Sequence, residues 1–292
     1  MLIAPELLAA LAPLRLRSRY APAGLGTGFH ASPHRGSGLE FAEYRAYQPG
    51  DEPRRVDWKL YARSDRFFVR DAERDAQLHV WVIVDCSASM GQADAAAPQR
   101  TRLAQAAALA ACVFELATRQ NDRFGLIAIG NDRVAMHGDG EGRRHRDRLG
   151  LALDALQAGG AWPDAAALAP LPARIAPGAL VLMIGDGFEP AMDGLAMRLA
   201  GTRRDVSFVT LLTAEERDFP FDGSPRFEDP EGAGVRRAVA ERVRTGFLAR
   251  FGAARAERQR ELTRAGIGAV DAYTDASLIV PLRRLFGGVP GA

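Results

Sequence analysis

Lysine is almost missing from this chain of 292 residues: Lys59 stands alone, and arginine supplies the rest of the 38 basic side chains. Against 36 acidic residues the net charge is only +2, so no global field draws the protein toward nucleic acid or an anionic membrane. The abundance of Ala and Arg reads as the base composition of a genome, not as a binding adaptation. Cysteine is scarce too. Cys86 and Cys112 belong to no metal-binding or redox spacing and fit a reduced cytoplasm better than a disulfide framework. Long apolar runs are absent. A membrane-crossing helix needs roughly 18–20 such residues, and the best candidate, Leu103 to Ala117, is broken by Gln105 and Glu115. Residues 1–14 are apolar but hold Pro5, Glu6 and Pro13, with no basic region before them and no small-residue cleavage site, which argues against a signal peptide. They suit a short amphipathic helix. A soluble, cytoplasmic protein is expected. No phosphate-cradling Gly-x-x-x-x-Gly-Lys-Ser/Thr loop and no Gly-x-Ser-x-Gly elbow is present, which excludes those two routes to ATP binding and acyl transfer.

What is there centres on residues 79–91. The apolar run Val80 to Val84 reads as a strand buried on both faces, as in a parallel sheet. It ends abruptly at Asp85, and Ser87 and Ser89 follow at alternate positions. The loop after such a strand lies at the carboxyl edge of the sheet, where open α/β folds bind ligands. Three hard oxygen donors on one short loop suit a small hard cation such as Mg²⁺ or Mn²⁺. The plainer alternative is an Asx-turn and helix cap. As a phosphohydrolase the loop is poorly equipped: Ser87 stands where a second carboxylate for acid–base work would be wanted, and no His lies near it in sequence.

Strand and helix patterns alternate through the chain. Helices are expected over residues 100–120, 143–157, 164–175, 189–199, 244–265 and 276–286, the first capped by Thr101 and the last by Thr274-Asp275. Strands are expected over 67–70, 124–130, 180–184, 206–212 and 266–273, with an antiparallel edge strand over 133–137. This predicts an α/β fold with a mostly parallel sheet and helices on both faces. Residues 213–246 break the rhythm with Pro and Gly. A small β-rich subdomain is expected from 15–78 together with 213–246, beside an α/β domain of 79–212 with 247–286. The charges of the last long helix read as a solvated face with i,i+4 pairs.

A second rich stretch is residues 39–63. Tyr44, Arg45, Tyr47, Asp51, Arg54, Asp57, Trp58 and Arg63 form a candidate partner-docking surface, since aromatic and Arg side chains dominate binding hot spots. An intramolecular clasp of the same residues is the alternative. Pro49-Gly50-Asp51 reads as a tight turn, and the pair His30 and His34 as ordinary surface.

The spacing Asp85-x-Ser87-x-Ser89-Met90-Gly91 resembles the metal-ion-dependent adhesion site of von Willebrand factor A-type domains. That resemblance implies two further ligands from later loops: a Thr, and an Asp that Asp186 matches at the end of Val181 to Gly185. The Thr position holds Ala161, in Gly159-Gly160-Ala161; a water or Asp164 is left to fill the gap. The expected metal set is therefore Asp85, Ser87, Ser89 and Asp186.

Gly28-x-His30-x-Ser32, Gly36-x-Gly38-x-Glu40-Phe41, Arg45-x-Tyr47-x-Pro49-Gly50-Asp51, Arg54, Asp57-Trp58-Lys59 and Ala62-Arg63 precede that loop in order. Together they resemble the bacterial family called domain of unknown function 58. The resemblance implies a von Willebrand factor A-like core and a MoxR-type AAA+ ATPase as working partner in assembling or activating other proteins. It implies protein interaction without catalysis, in which a divalent ion binds a partner's carboxylate. The alternatives are a scaffold with a degenerate metal site that docks through residues 39–63, and a metal-dependent hydrolase.

Overall fold

The computed structural model describes residues 3–20, 43–48, 56–71, 77–228 and 234–287. The chain divides into two compact units, residues 21–77 and the remainder.

In the larger unit, α1 (Pro5–Leu11) precedes the central sheet, and in the smaller unit β1 (Glu43–Ala46), α2 (Trp58–Ser64) and β2 (Phe68–Asp71) follow in sequence. β1 and β2 pair antiparallel, with Glu43 opposite Asp71 and Ala46 opposite Phe68. Asp57 caps α2, accepting from the backbone N–H of Lys59 and Leu60 at 2.9 and 3.1 Å.

The larger unit is built on six strands. β3 (His79–Asp85) is followed by α3 (Arg102–Arg119), β4 (Arg123–Gly130), β5 (Arg133–Gly140), α4 (Gly142–Asp154), α5 (Ala165–Leu168), α6 (Leu171–Arg174) and β6 (Leu180–Gly185). Then come α7 (Pro190–Ala200), β7 (Asp205–Leu212), α8 (Ala214–Asp218), β8 (Arg226–Glu228), β9 (Val235–Arg237), α9 (Ala240–Arg264), β10 (Gly268–Tyr273) and α10 (Ile279–Phe286). The sheet order is β10-β7-β6-β3-β4-β5, all parallel except the edge strand β5. The α/β class and the antiparallel edge are those expected from the sequence.

Why β3 sits in the middle follows from its composition. Every residue from Val80 to Asp85 is buried, and alternate side chains serve two cores. Val80, Val82 and Val84 pack with Leu109, Val113 and Phe114 of α3. Trp81 and Ile83 pack with Leu195 and Leu199 of α7. Trp81 lies across Gly125, its parallel partner on β4: a Cβ there would meet the indole ring at 2.5 Å. The chain runs outward from β3 through β4 to β5, then returns to β6 and runs the other way. The strand order reverses between β3 and β6, and a crevice at the carboxyl ends of those strands is the usual ligand site of an open α/β sheet.

Several expectations change. Residues 213–246 belong to the larger unit, and β8 pairs with β9, not with the strands of 15–78. Residues 15–20 also fall in the larger unit, where the side chain of Gln120 clasps both backbone groups of Leu16. The helix expected over 164–175 splits into α5 and α6 at Pro170, which has no backbone N–H to continue the ladder of α5. The last helix starts at Ile279; Thr274, expected to cap it, instead donates its hydroxyl to Asp94 at 2.5 Å. The arginines of α9 reach across to neighbours as well as along the helix: Arg258 pairs bidentately with Asp193 of α7, and Arg255 with Asp271 of β10. The turn at 49–51 and the pair His30 and His34 lie outside the described residues.

Gly125→Ala is expected to destabilise the fold by about 1–3 kcal/mol through overpacking against Trp81. Thermal unfolding checks this, and adding Trp81→Leu should recover part of the loss.

Candidate metal centre

Asp85 ends β3 and Asp186 follows β6, so adjacent parallel strands deliver two carboxylates to one edge. Both are out of water: Asp85 is 0% exposed and Asp186 2%. Ser87 and Ser89 are buried beside them. Asp85 Oδ1 accepts from the backbone N–H of Ser87 at 2.8 Å, an Asx-turn that shapes the loop. The Ser87 and Ser89 hydroxyls lie 3.1 Å apart, and Ser89 donates to Asp186 Oδ2 at 2.5 Å. Asp186 Oδ1 accepts from the backbone N–H of Phe188 at 3.0 Å. The four residues expected as metal ligands are thus brought together.

Asp85 Oδ2 has no hydrogen-bond partner although it is buried. Gly185 keeps its surroundings open, since a Cβ there would stand 3.2 Å from that oxygen. Burial pushes the Asp85 carboxyl up to about pH 6; the Ser87 N–H opposes this, the charge of Asp186 adds to it, and the Trp162 N–H opposes it. An orphaned carboxylate oxygen next to a second carboxylate and two hydroxyls is a hard-oxygen set that fits Mg²⁺ or Mn²⁺. Among the described residues there is no cluster of three or more His, Cys, Asp or Glu that would hold a metal unaided; hydroxyls make up half of this set.

Two site residues escaped the sequence reading. Trp162 donates its indole N–H to Asp85 Oδ1 at 2.9 Å. It follows directly on the Gly-Gly-Ala loop, and a buried Trp usually finds a hydrogen-bond acceptor. Arg102, 0% exposed, sends Nη1 to Ser89 O at 3.0 Å, to Gln92 Oε1 at 2.9 Å and to within 3.4 Å of Asp186 Oδ2. Its Nη2 pairs with Glu216 of α8. The signal was available: a cation at the first position of α3 faces the positive end of the helix dipole and needs carboxylates to stay there.

The second loop is laced to the first by backbone alone. Gly159 N–H donates to Cys86 O at 3.0 Å, and Ala88 N–H to Gly160 O at 3.1 Å. Ala161 is exposed and offers no side-chain donor atom. Asp164 caps α5 through Ala167 N–H at 2.9 Å.

The expected docking residues lie in the smaller unit. Tyr47 and Trp58 are exposed, at 37% and 58%, and gather with Tyr61 around the exposed ring of Phe67. Lys59 and Arg63 are exposed on α2, whereas Asp57 is buried as its cap. Tyr44 and Arg45 lie on β1. Asp51 and Arg54 lie outside the described residues.

A parallel-centred α/β sheet with a carboxylate–hydroxyl loop at its strand-order reversal defines the class. The chain matches the model of the family described as protein of unknown function DUF58 over residues 43–260, and it belongs to that family. It is 27% identical over 284 residues to uncharacterized protein Rv1480 of Mycobacterium tuberculosis (strain ATCC 25618 / H37Rv), covering 96% of this chain and 89% of that one. The figures are the same for uncharacterized protein Mb1516 of Mycobacterium bovis (strain ATCC BAA-935 / AF2122/97). Among solved structures, the conserved hypothetical protein BatB from Bacteroides thetaiotaomicron is similar with a TM-score of 0.44 at 16% identity, covering 71% of this chain and 97% of that one. The SpRpn10 VWA domain is similar with a TM-score of 0.42 at 12% identity, covering 74% and 100%. The fold class rests on the order and direction of the strands themselves. Among the described residues no helix is long and apolar enough to cross a membrane.

A carboxyl with its folded value raised to about 6 binds its proton more tightly in the folded chain than in the unfolded one. The contribution of Asp85 to the stability of the ion-free protein therefore falls as pH rises from about 4 to 6, by about 3 kcal/mol, and stays down above that. In chelator at pH 8, Asp85→Asn is expected to be more stable than wild type by about 1–3 kcal/mol, and the gain should vanish at pH 4. Urea unfolding at both pH values checks this; an equal difference at the two would contradict it.

Proposed function

We propose that this chain is a non-catalytic protein-interaction module that docks a partner's carboxylate through Mg²⁺ or Mn²⁺ at its first loop. Asp85, Ser87, Ser89 and Asp186 would hold the ion. The observation that carries this reading is the buried, unpartnered Asp85 Oδ2 at the head of a loop whose Ser87 and Ser89 hydroxyls are linked to each other and to Asp186. When bound, the ion supplies a Lewis-acidic position for one partner carboxylate. The chain's own groups orient the donors: the Ser87 and Trp162 N–H groups fix Asp85 through Oδ1 and leave Oδ2 free, and Ser89 and the Phe188 N–H fix Asp186. The non-catalytic part is supported by the absence of a histidine base beside the hydroxyls among the described residues. His79 begins β3 at the opposite end from Asp85, His137 lies on the edge strand β5, and His145 bonds Phe124 O near the start of β4. Resemblance to the family supports a MoxR-type AAA+ ATPase, or its client, as the cytoplasmic partner.

One observation favours a second reading. Arg102 already places a positive charge beside Asp186, and Ala161 adds no donor, so the loop is held together without an ion. Docking would then run through the exposed rings of Tyr47, Trp58 and Phe67 in the smaller unit.

Calorimetric titration of the whole chain with Mg²⁺ and Mn²⁺ separates the two. Saturable one-to-one binding, abolished in Asp85→Ala, is the expected result. Its absence in the wild type overturns the ion-mediated reading. Retention of a co-expressed MoxR-type ATPase in Mg²⁺ but not in chelator is the matching expectation for the partner.

A further inference from the structure

Beside the first loop lies an apolar groove of about 530 Å³ that the ion site does not use. Its floor is aromatic. Phe219 is 4.9 Å from Phe247 and 5.1 Å from Phe221, ring centre to ring centre, and Phe221 is 5.3 Å from Phe227. Ala93, Ala238 and Val243 complete the apolar lining. Four aromatic rings around one open cavity form the type of depression that accepts large apolar side chains.

The groove and the ion loop share a wall one residue thick. Gln92 and Glu216 line the groove, and both grip Arg102. The same guanidinium touches Ser89 O and Asp186 Oδ2 on its other side. A second line joins them over the surface: Phe247 stacks on Phe251 at 5.3 Å, and Phe251 lies 6.3 Å from Phe188. Phe188 is 52% exposed and stands two residues after Asp186. A chain leaving the ion loop would therefore cross rings on its way to the groove.

Charge names the occupant. The carboxylates on the wall are already engaged: Glu216 by Arg102 and the Thr213 N–H, Glu215 by the Ala95 N–H. Arg250 at the mouth is exposed and has no ionic partner among the described residues. The amino half of α9 beside it carries Arg242, Arg244 and Arg250 against Glu241 alone, with Arg244 paired to Asp222. An apolar floor under a basic rim fits an acidic chain with a large apolar side chain, and opposes a basic one.

We propose that this groove binds an acidic segment of a partner protein, seating a Phe, Trp or Leu side chain next to the carboxylate that the ion loop receives. The proposal deepens the reading of the ion loop above and rests on it for the position of that carboxylate.

The test pans a random dodecapeptide phage library on the full chain in Mg²⁺ and measures the best peptide, synthesised with a fluorophore, by anisotropy. Enriched peptides should carry Asp or Glu within two positions of Phe, Trp or Leu. Affinity should fall at least about tenfold in Arg250→Glu, which reverses the rim charge, and in Ala93→Trp, which fills the groove. Circular dichroism confirms that each variant is folded, and the surface change Arg250→Glu decides alone if Ala93→Trp is not. Binding lost in chelator or in Asp85→Ala but untouched by both groove variants would overturn the groove proposal and leave the ion reading standing. Binding that survives chelator and still falls in the groove variants would support the groove and overturn the ion reading. No enrichment, or enrichment of basic peptides, overturns the proposal. So does a wild-type dimer that Arg250→Glu disperses in light scattering, which would assign the groove to a second copy of the chain.

Discussion

Two carboxylates held out of water at the ends of neighbouring parallel strands are the constraint to which the larger unit is fitted. Like charges so placed repel, and each loses its hydration. The surrounding groups answer term by term. Backbone N–H groups of the two turns take Asp85 Oδ1 and Asp186 Oδ1, the indole of Trp162 adds a second donor to Asp85, and Ser89 takes Asp186 Oδ2. Arg102 brings a full charge from the first turn of α3. Only Asp85 Oδ2 is left unanswered. Among the described residues the other buried side-chain atoms without a hydrogen bond are arginine nitrogens, Nε and Nη2 of Arg102 and Nε of Arg255, so Asp85 Oδ2 is the one bare acceptor, the kind of group that a ligand from outside the chain would satisfy.

The order of the strands explains how the arrangement is reached. Chain reversal between β3 and β6 opens the crevice, because the connections after those two strands leave toward opposite faces. The second loop closes the side of the crevice through backbone contacts with Cys86 and Ala88, so the side chain at position 161 is free of structural duty. That is why an apolar residue is tolerated there without disturbing the loop.

Much of this was legible in the residues. The run Val80 to Val84 has no polar interruption, so its burial and parallel pairing followed from period and length, and Asp85, Ser87 and Ser89 fell into place behind it. Asp186 came by resemblance, and the sheet brings it to Ser89. Trp162 and Arg102 were not found, because their partners lie far away in sequence. Spacing shows local contacts; it does not show which long side chain crosses a sheet edge to satisfy a buried charge. The same limit explains α9, whose Arg255 and Arg258 read as a solvated stripe yet bond to β10 and α7. Residues 213–246 were misassigned for another reason. Pro and Gly signal turns but not the neighbour a short hairpin will sit on, and the cluster of Phe219, Phe221, Phe227 and Phe247 decides that instead.

Helix α2 has a consequence of a different kind. It presents Lys59, the sole side-chain amine of the chain, exposed next to Trp58 and one turn from Arg63. Every reaction of a lysine side chain, whether its acylation or the attachment of a modifier protein, is confined to this one helix. The smaller unit thus has a single chemical address beside its exposed rings, and a label placed there would read out contacts of that face while leaving the sheet and its loops unmarked.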